Sequence, residues 1–256
     1  MENSSSVKLA YQLYSSRNFQ PWSEVFEQLA KLGLRHVEGF GGLYEQADAI
    51  TAALNASGLS MRSGHIGMDM LSQDPQKALE LAQQMGMQMA FGPYLAPDQR
   101  PQDAAGYQAI GEQLARAAET LNAGSVELGW HNHDFEFIAL PDGSLPIEHL
   151  LEGSDLVTWE IDVAWVVRAG VDPLPWIERY RDRIRAVHVK DLAAAGENTD
   201  EDGWADVGSG IVDWIGLLPA LAETKNQWLI LEHDNPSDHV RFASQSLSWL
   251  QQQGVS

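Results

Sequence analysis

Three short segments place ionisable side chains two residues apart: His131 and His133 in WHNHDF, Glu160 and Asp162 in WEIDVAW, and His188 and Lys190 in HVKD. Further single groups close other β-rich runs, Glu38 in VEGF, His65 in GHIG and Glu232 in ILEHD. Side chains two apart on a strand share a face, so each pair points one way. If those faces meet, imidazole nitrogens and carboxylate oxygens converge. Such a mixed set suits a divalent transition ion, whereas oxygen alone would favour magnesium or calcium. One divalent ion is therefore expected, manganese first, with cobalt, zinc or magnesium as the alternatives.

Any one of these residues could equally be a hydrogen-bonded core group. Their recurrence at the ends of successive strands favours a site. Glu160 is the weakest member, because it lies about 7 Å deeper than Asp162 at roughly 3.3 Å per residue; supporting the strand or a neighbouring ligand is its other reading. Lone histidines such as His36, His149 and His239 are assigned no role. Of the aromatic residues near the strand ends (Tyr14, Phe40, Phe91, Trp130, Trp165), only Trp165 is taken as a pocket wall, being three residues beyond Asp162. Lys190 either reaches a substrate oxygen or pairs with Asp191.

The elements that must hold these groups alternate along the chain. Strand-like runs occupy residues 7–14, 35–40, 60–67, 87–94, 125–133, 157–162, 184–191 and 228–234. Helix-like segments fall near 21–32, 43–57, 74–86, 103–122, 146–152, 173–182, 213–224 and 237–252, with Asp74 and Asp213 as capping residues. Eight β/α alternations in 256 residues predict a single domain, 1–256, of the α/β class: a closed (β/α)8 TIM barrel, with an open doubly wound sheet as the alternative. In such a barrel the strand ends face one mouth. The connection 192–212 is too long for a bare turn and is expected to act as a lid or substrate loop. The stretch VGSGIVDW could offer free helix N-terminal amides to an anion or sugar.

Composition narrows the partners. With 36 acidic against 16 basic residues, the net charge of −20 repels phosphate backbones, so nucleic acid is not expected. No apolar run approaches the roughly 18 residues of a membrane span, and the segment MENSSSVKLAYQLY lacks the basic and apolar regions of a secretory signal. A cytoplasmic protein without a membrane partner is expected. The absence of cysteine excludes thiolate ligands, disulfides and a cysteine nucleophile. No GxSxG elbow, phosphate loop or Rossmann glycine pattern occurs.

The segments QLYSSR, VEGF, GHIG, WHNHDFEF, WEIDVAW with AGVDP, HVKD, VGSGIVDW and ILEHD, in this order over nearly the whole chain, resemble the xylose isomerase-like TIM barrel superfamily of sugar isomerases and epimerases. The resemblance implies one divalent ion held from strands five to eight, by Asp162, His188 and Glu232 at matching positions. The family's strand-five glutamate is here His131, with His133 as the lesser alternative for the fourth ligand. It also implies Glu232, His131 and His133 as proton-moving groups, and Glu38, His65, Trp165, Lys190 and Glu136 as substrate contacts. The activity implied is a metal-dependent isomerisation or epimerisation of a keto-sugar, sugar derivative or polyol through an enediolate. Loss of a β-leaving group from the same enediolate would make it a lyase or dehydratase acting on a 3-keto-glycoside or inosose. An endonuclease on this fold is disfavoured by the charge, and a non-catalytic sugar-binding protein is the third class. A homo-oligomer is left open.

Overall fold

The barrel follows from strands that are buried on both faces. In the computed structural model, which describes residues 7–255, the run Thr158–Asp162 is buried at every position, as is Met89–Gly92. The parallel strands are β1 (Lys8–Gln12), β2 (His36–Gly39), β3 (Ser60–His65), β4 (Met89–Gly92), β5 (Glu127–His131), β6 (Thr158–Asp162) and β7 (Ile184–Val189). A two-stranded antiparallel pair follows, β8 (Asp191–Leu192) with β9 (Trp204–Ala205), and β10 (Trp228–Leu231) is the eighth barrel strand. β1 pairs with both β2 and β10, so the sheet closes and the open-sheet alternative is excluded. The segment Met1–Ser6, on which part of the signal-peptide reading rests, lies outside the described residues. Among the described residues no helix is long and apolar enough to cross a membrane.

Alternation divides the barrel interior into two storeys. Ala10, Met89, Phe91, Ala186, Trp228 and Ile230 form a separate buried apolar cluster. Two residues further along, the same faces carry Gln12 above Ala10, His188 above Ala186 and Glu232 above Ile230. The apolar storey plugs the barrel and the polar storey stands on it. Around the strands, a second core joins their outward faces to the helices, with Trp159 and Ile161 pointing outward in alternation with the inward Glu160 and Asp162.

Helices start where short polar side chains take up free amides. Asp74 accepts from Lys77 N and Asp213 from Gly216 N, as the sequence predicts, and Asp103 and Asp238 cap their own helices in the same way. Gly58 and Gly86 close two helices in the left-handed conformation, which costs a residue without Cβ little.

The expected elements differ from the observed ones in places. Residues expected as one helix at 43–57 form a 3-10 turn, Gly41–Gln46, and then a helix, Ala47–Ser57. Two short helices, Met68–Gln73 and Val163–Arg168, were not anticipated. The barrel's seam is also tied by side chains: His233 N donates to Ser15 Oγ at 3.0 Å, and Ser16 Oγ lies 2.8 Å from His239 Nδ1.

Candidate metal and sugar site

At the C-terminal mouth, one donor atom from each of His131, Asp162, His188 and Glu232 lies within 4.8 Å of the others, and all four residues are buried. Register explains the meeting: Asp162 pairs with His188 across β6 and β7, and Glu232 N donates to Val189 O at 3.2 Å. Asn132 fixes the end of β6. Its Oδ1 accepts from Asp162 N and Trp159 Nε1, both at 3.0 Å, while its Nδ2 donates to Asp162 O at 3.1 Å.

Asp162 divides its carboxylate between two tasks. Oδ1 caps the helix Val163–Arg168 by accepting from Trp165 N at 3.0 Å. Oδ2 is buried with no hydrogen-bond partner, 3.8 Å from His188 Nδ1 and 3.7 Å from Lys190 Nζ. A buried, unpartnered carboxylate oxygen is costly unless a cation meets it. With two imidazoles and a second carboxylate beside it, the donor set fits a divalent ion.

A deeper grouping of His65, His131, Glu160 and His188 shares two of these residues. Hydrogen bonds tie its members together, while Glu160 Oε1 and His131 Nδ1 stay buried without a partner. His65 Nε2 lies 2.7 Å from Glu160 Oε2, His188 Nε2 lies 2.7 Å from Glu38 Oε1, and Gln12 Nε2 donates to the same Glu38 oxygen at 2.8 Å. His131 Nδ1 is 3.2 Å from Glu160 Oε2 but outside hydrogen-bonding geometry. The upper set brings two carboxylates together where the deeper one has one, and its His131 and Glu232 line the open cavity.

Burial and neighbouring charge act in opposite directions here. Burial pushes Asp162 up to about 7 against the pull of Lys190. Glu232 stays well below the usual carboxylate range, because Lys190 and His188 outweigh its burial. Burial, with Lys190 nearby, lowers His133 to about 3, leaving a neutral imidazole. For His65, burial is outweighed by Glu38 and Glu160, which raise it to about 9.

The cavity above this floor has a volume of about 530 Å³, and His65, His131, His133, Trp165 and Glu232 all face it. A hollow of about 480 Å³ at the opposite end, lined by residues such as Val7, Leu229 and Val255, contains no ionisable side chain.

Other expected residues sit elsewhere. Glu38, expected as a substrate contact, is wholly buried beneath His188 and is not part of the cavity wall. Glu136 is also wholly buried; its oxygens accept from Trp130 Nε1 and His133 N, both at 2.9 Å, so it braces the turn bearing His133 in place of the expected substrate contact. Lys190 does not pair with Asp191. Its ammonium is 2.6 Å from Asp234 Oδ2 and 3.2 Å from Glu232 Oε2, below the cavity surface. Trp165 does form a wall, with a buried and unpartnered Nε1.

The VGSGIVDW amides are not free either: those of Gly208, Gly210 and Val212 all donate to the Asp191 carboxylate, at 2.8, 3.2 and 3.1 Å. Nor is the 192–212 connection loose. Glu201 accepts two bonds from Arg241 at 2.9 Å and one from Ser237 N at 2.7 Å, which pins the loop beside the mouth. Sequence reasoning missed Gln12, Arg17, Tyr94, Asp202 and Asp234. Of these, Asp234 carried a usable signal, standing two residues beyond Glu232.

A family model described as xylose isomerase-like TIM barrel matches residues 26–253. The chain is 26% identical over 249 residues to an inosose dehydratase of Geobacillus kaustophilus (strain HTA426), covering 82% of this chain and 79% of that protein. Among solved structures, it superposes on a sugar phosphate isomerase/epimerase from Parabacteroides distasonis ATCC 8503 with a TM-score of 0.81 at 21% identity, over 98% of this chain and 96% of the other. The IOLI protein, solved with a bound zinc atom, superposes with a TM-score of 0.74 at 14% identity, over 97% and 96% of the two chains.

Proposed function

The chain belongs to the xylose isomerase-like TIM barrel family, and from that premise we propose that it is a divalent-metal enzyme that isomerises or epimerises a keto-sugar, sugar derivative or polyol. One observation carries the reading: the convergence of His131, Asp162, His188 and Glu232 at the floor of the cavity, with Asp162 Oδ2 unpartnered. These four residues would hold the ion, manganese being favoured by the mixed donors. When bound, the ion supplies Lewis acidity that draws electron density toward a substrate carbonyl oxygen.

The chain's own groups account for the proton. Glu232 faces the cavity, so its carboxylate would accept a proton from the carbon beside a carbonyl. The neutral His133 borders the same cavity, where it would pass on a proton at a second position without retaining it. Returning the proton to another carbon or face gives isomerisation or epimerisation. A second reading, elimination of a β-leaving group, is favoured by the histidine on β5 where two-carboxylate epimerases place a glutamate, and by the likeness to an inosose dehydratase.

Proton NMR in deuterated water, with metal-loaded protein and a panel of ketoses, 3-keto-glycosides and inososes, tests both. Exchange of a C–H proton with an intact carbon skeleton supports the first reading; release of water or an aglycone supports the second. A protein that binds a divalent ion yet exchanges no substrate proton across the panel sinks the enzymatic proposal.

A further inference from the structure

We infer that Lys190 fills a second cation position beside the ligand set and so holds the site to a single divalent ion; the inference rests on the metal reading proposed above. The Lys190 side chain is wholly buried and is not part of the cavity wall. Its ammonium lies 2.6 Å from Asp234 Oδ2, 3.2 Å from Glu232 Oε2 and 3.7 Å from Asp162 Oδ2. The ring centroids of Trp204 and Trp165 stand 4.1 and 5.0 Å away. Carboxylates and aromatic faces gathered in this way are the surroundings of a bound cation. Here the cation is part of the chain.

Two of these carboxylates also belong to the ligand set. Glu232 Oε2 is 2.9 Å from His188 Nδ1, and Asp162 Oδ2 is 3.8 Å from the same nitrogen. Both oxygens are thus shared between the ligand histidine and the ammonium. Two-metal sites set their ions about 3.5–4 Å apart, close enough for one carboxylate to serve both, and Lys190 stands where the second ion of such a pair would need its ligands. Among the described residues Asp234 forms an ion pair with Lys190 alone, as a ligand proper to that second position.

Charge balance agrees. When ionised, Asp162, Glu232 and Asp234 carry three negative charges, of which Lys190 offsets one and a divalent ion the other two. A second divalent ion beside the ammonium would leave the buried group with an excess of positive charge, a costly state. The backbone keeps the ammonium in place. Trp214 Nε1 donates to Lys190 O at 3.2 Å, and the next residue, Asp191, accepts from the amides of Gly208, Gly210 and Val212. His188 and Lys190 both bond Glu232 through Oε2, which leaves Oε1 to the cavity that Glu232 lines. Lys190 is therefore a positioning residue that acts through Glu232 and Asp162.

Manganese titration with elemental analysis counts the ions, and electron paramagnetic resonance separates an isolated ion from a spin-coupled pair. Wild type is expected to take up one uncoupled ion even in excess manganese. Lys190→Ala should take up a second ion and give the coupled signal, and propylammonium, which restores the missing ammonium, should return it to one. Adding Asp234→Asn to Lys190→Ala should also return the count to one. Lys190→Gln repeats the measurement should the alanine chain not fold. A coupled pair in wild type, a single ion in the folded Lys190 variants, or a second ion indifferent to Asp234 overturns the inference and leaves the four-residue ligand set standing. Wild type that binds no ion overturns both.

Discussion

His188 Nε2 lies 2.7 Å from Glu38 Oε1, and both side chains are wholly shielded from solvent. Both ring nitrogens donate in the ion-free protein, Nε2 to Glu38 and Nδ1, at 2.9 Å, to Glu232 Oε2, and Nδ1 is the nitrogen turned toward Asp162 and Glu232, where a bound ion would take the place of its proton. Carboxylates behind a ligand histidine orient the ring and raise its basicity. Glu38→Gln should therefore weaken divalent-ion affinity by about 10- to 100-fold without removing any ligand. Competitive chelator titration of the two proteins measures this directly, and equal affinities would refute the supporting role.

Asp162→Asn should lose affinity through a different cause, the removal of an anionic ligand of nearly the same size. His149, bonded to Ser144, and His239, bonded to Ser16, serve as controls whose replacement leaves metal content unchanged. Protons compete with the ion for Asp162, which burial holds at about 7 in the ion-free protein. Occupancy should accordingly fall as pH drops below about 7. Elemental analysis across a pH series reads both effects, and an Asp162→Asn protein that retains a full equivalent of ion would count against the ligand set.

Glu136 gives a pH effect on stability with a defined sign. Burial raises its folded pKa to about 8, above the value of about 4.5 expected in the unfolded chain. Between those values the folded state holds the proton and the unfolded state does not, so this group's contribution declines as pH rises toward 8. The stability of wild type minus that of Glu136→Gln should fall with pH from 5 to 8, at a slope of at most about 1.4 kcal/mol per unit. Urea unfolding of both proteins at several pH values supplies the difference; a flat or rising curve contradicts the assignment.

Glu201→Ala should release the 192–212 connection. The substitution removes the acceptor of Ser237 N and two of Arg241's bonds, leaving Arg241 with Asp206 and Ser237 Oγ, at a cost of about 1–3 kcal/mol. Limited proteolysis should then cut within the connection, and KM should rise more than kcat falls, because Asp202 loses its place beside the cavity. In wild type the Glu201 carboxyl is held at about 2, Arg241 and Ser237 outweighing its burial. Its stabilising contribution is complete above the unfolded value of about 4.5 and is lost as pH falls toward about 2. A proteolysis pattern identical to that of wild type would show that Glu201 is not what holds the connection.

The strand-end groups were readable because a period of two and a common mouth are properties of the chain pattern itself. Asp162, His188, His131 and Glu232 required only that the barrel close. Glu38 and Glu136 were misplaced for a geometric reason: sequence shows that a carboxylate stands near a strand end, but not which storey of the interior it occupies. Glu160, set apart as the deep member, indeed meets His65 below the upper set. The VGSGIVDW turn was misread because its partner, Asp191, lies 17 residues before Gly208, beyond local turn chemistry. The helix Val163–Arg168 could have been found, since Asp162 followed by an apolar run is also a capping signal.

The seam between β1 and β10 has a consequence for biosynthesis. Ser15 and Ser16 are translated early, yet their partners His233 and His239 come from the far end of the chain, as does Glu232. Chains emerging from a ribosome fold from the N-terminal side as sequence becomes available, but a barrel lacking its eighth strand has two unpaired edges and an incomplete ligand set. The cluster of His131, Asp162, His188 and Glu232 is thus complete only once β10 has been made, and until then the partly made barrel presents an open edge.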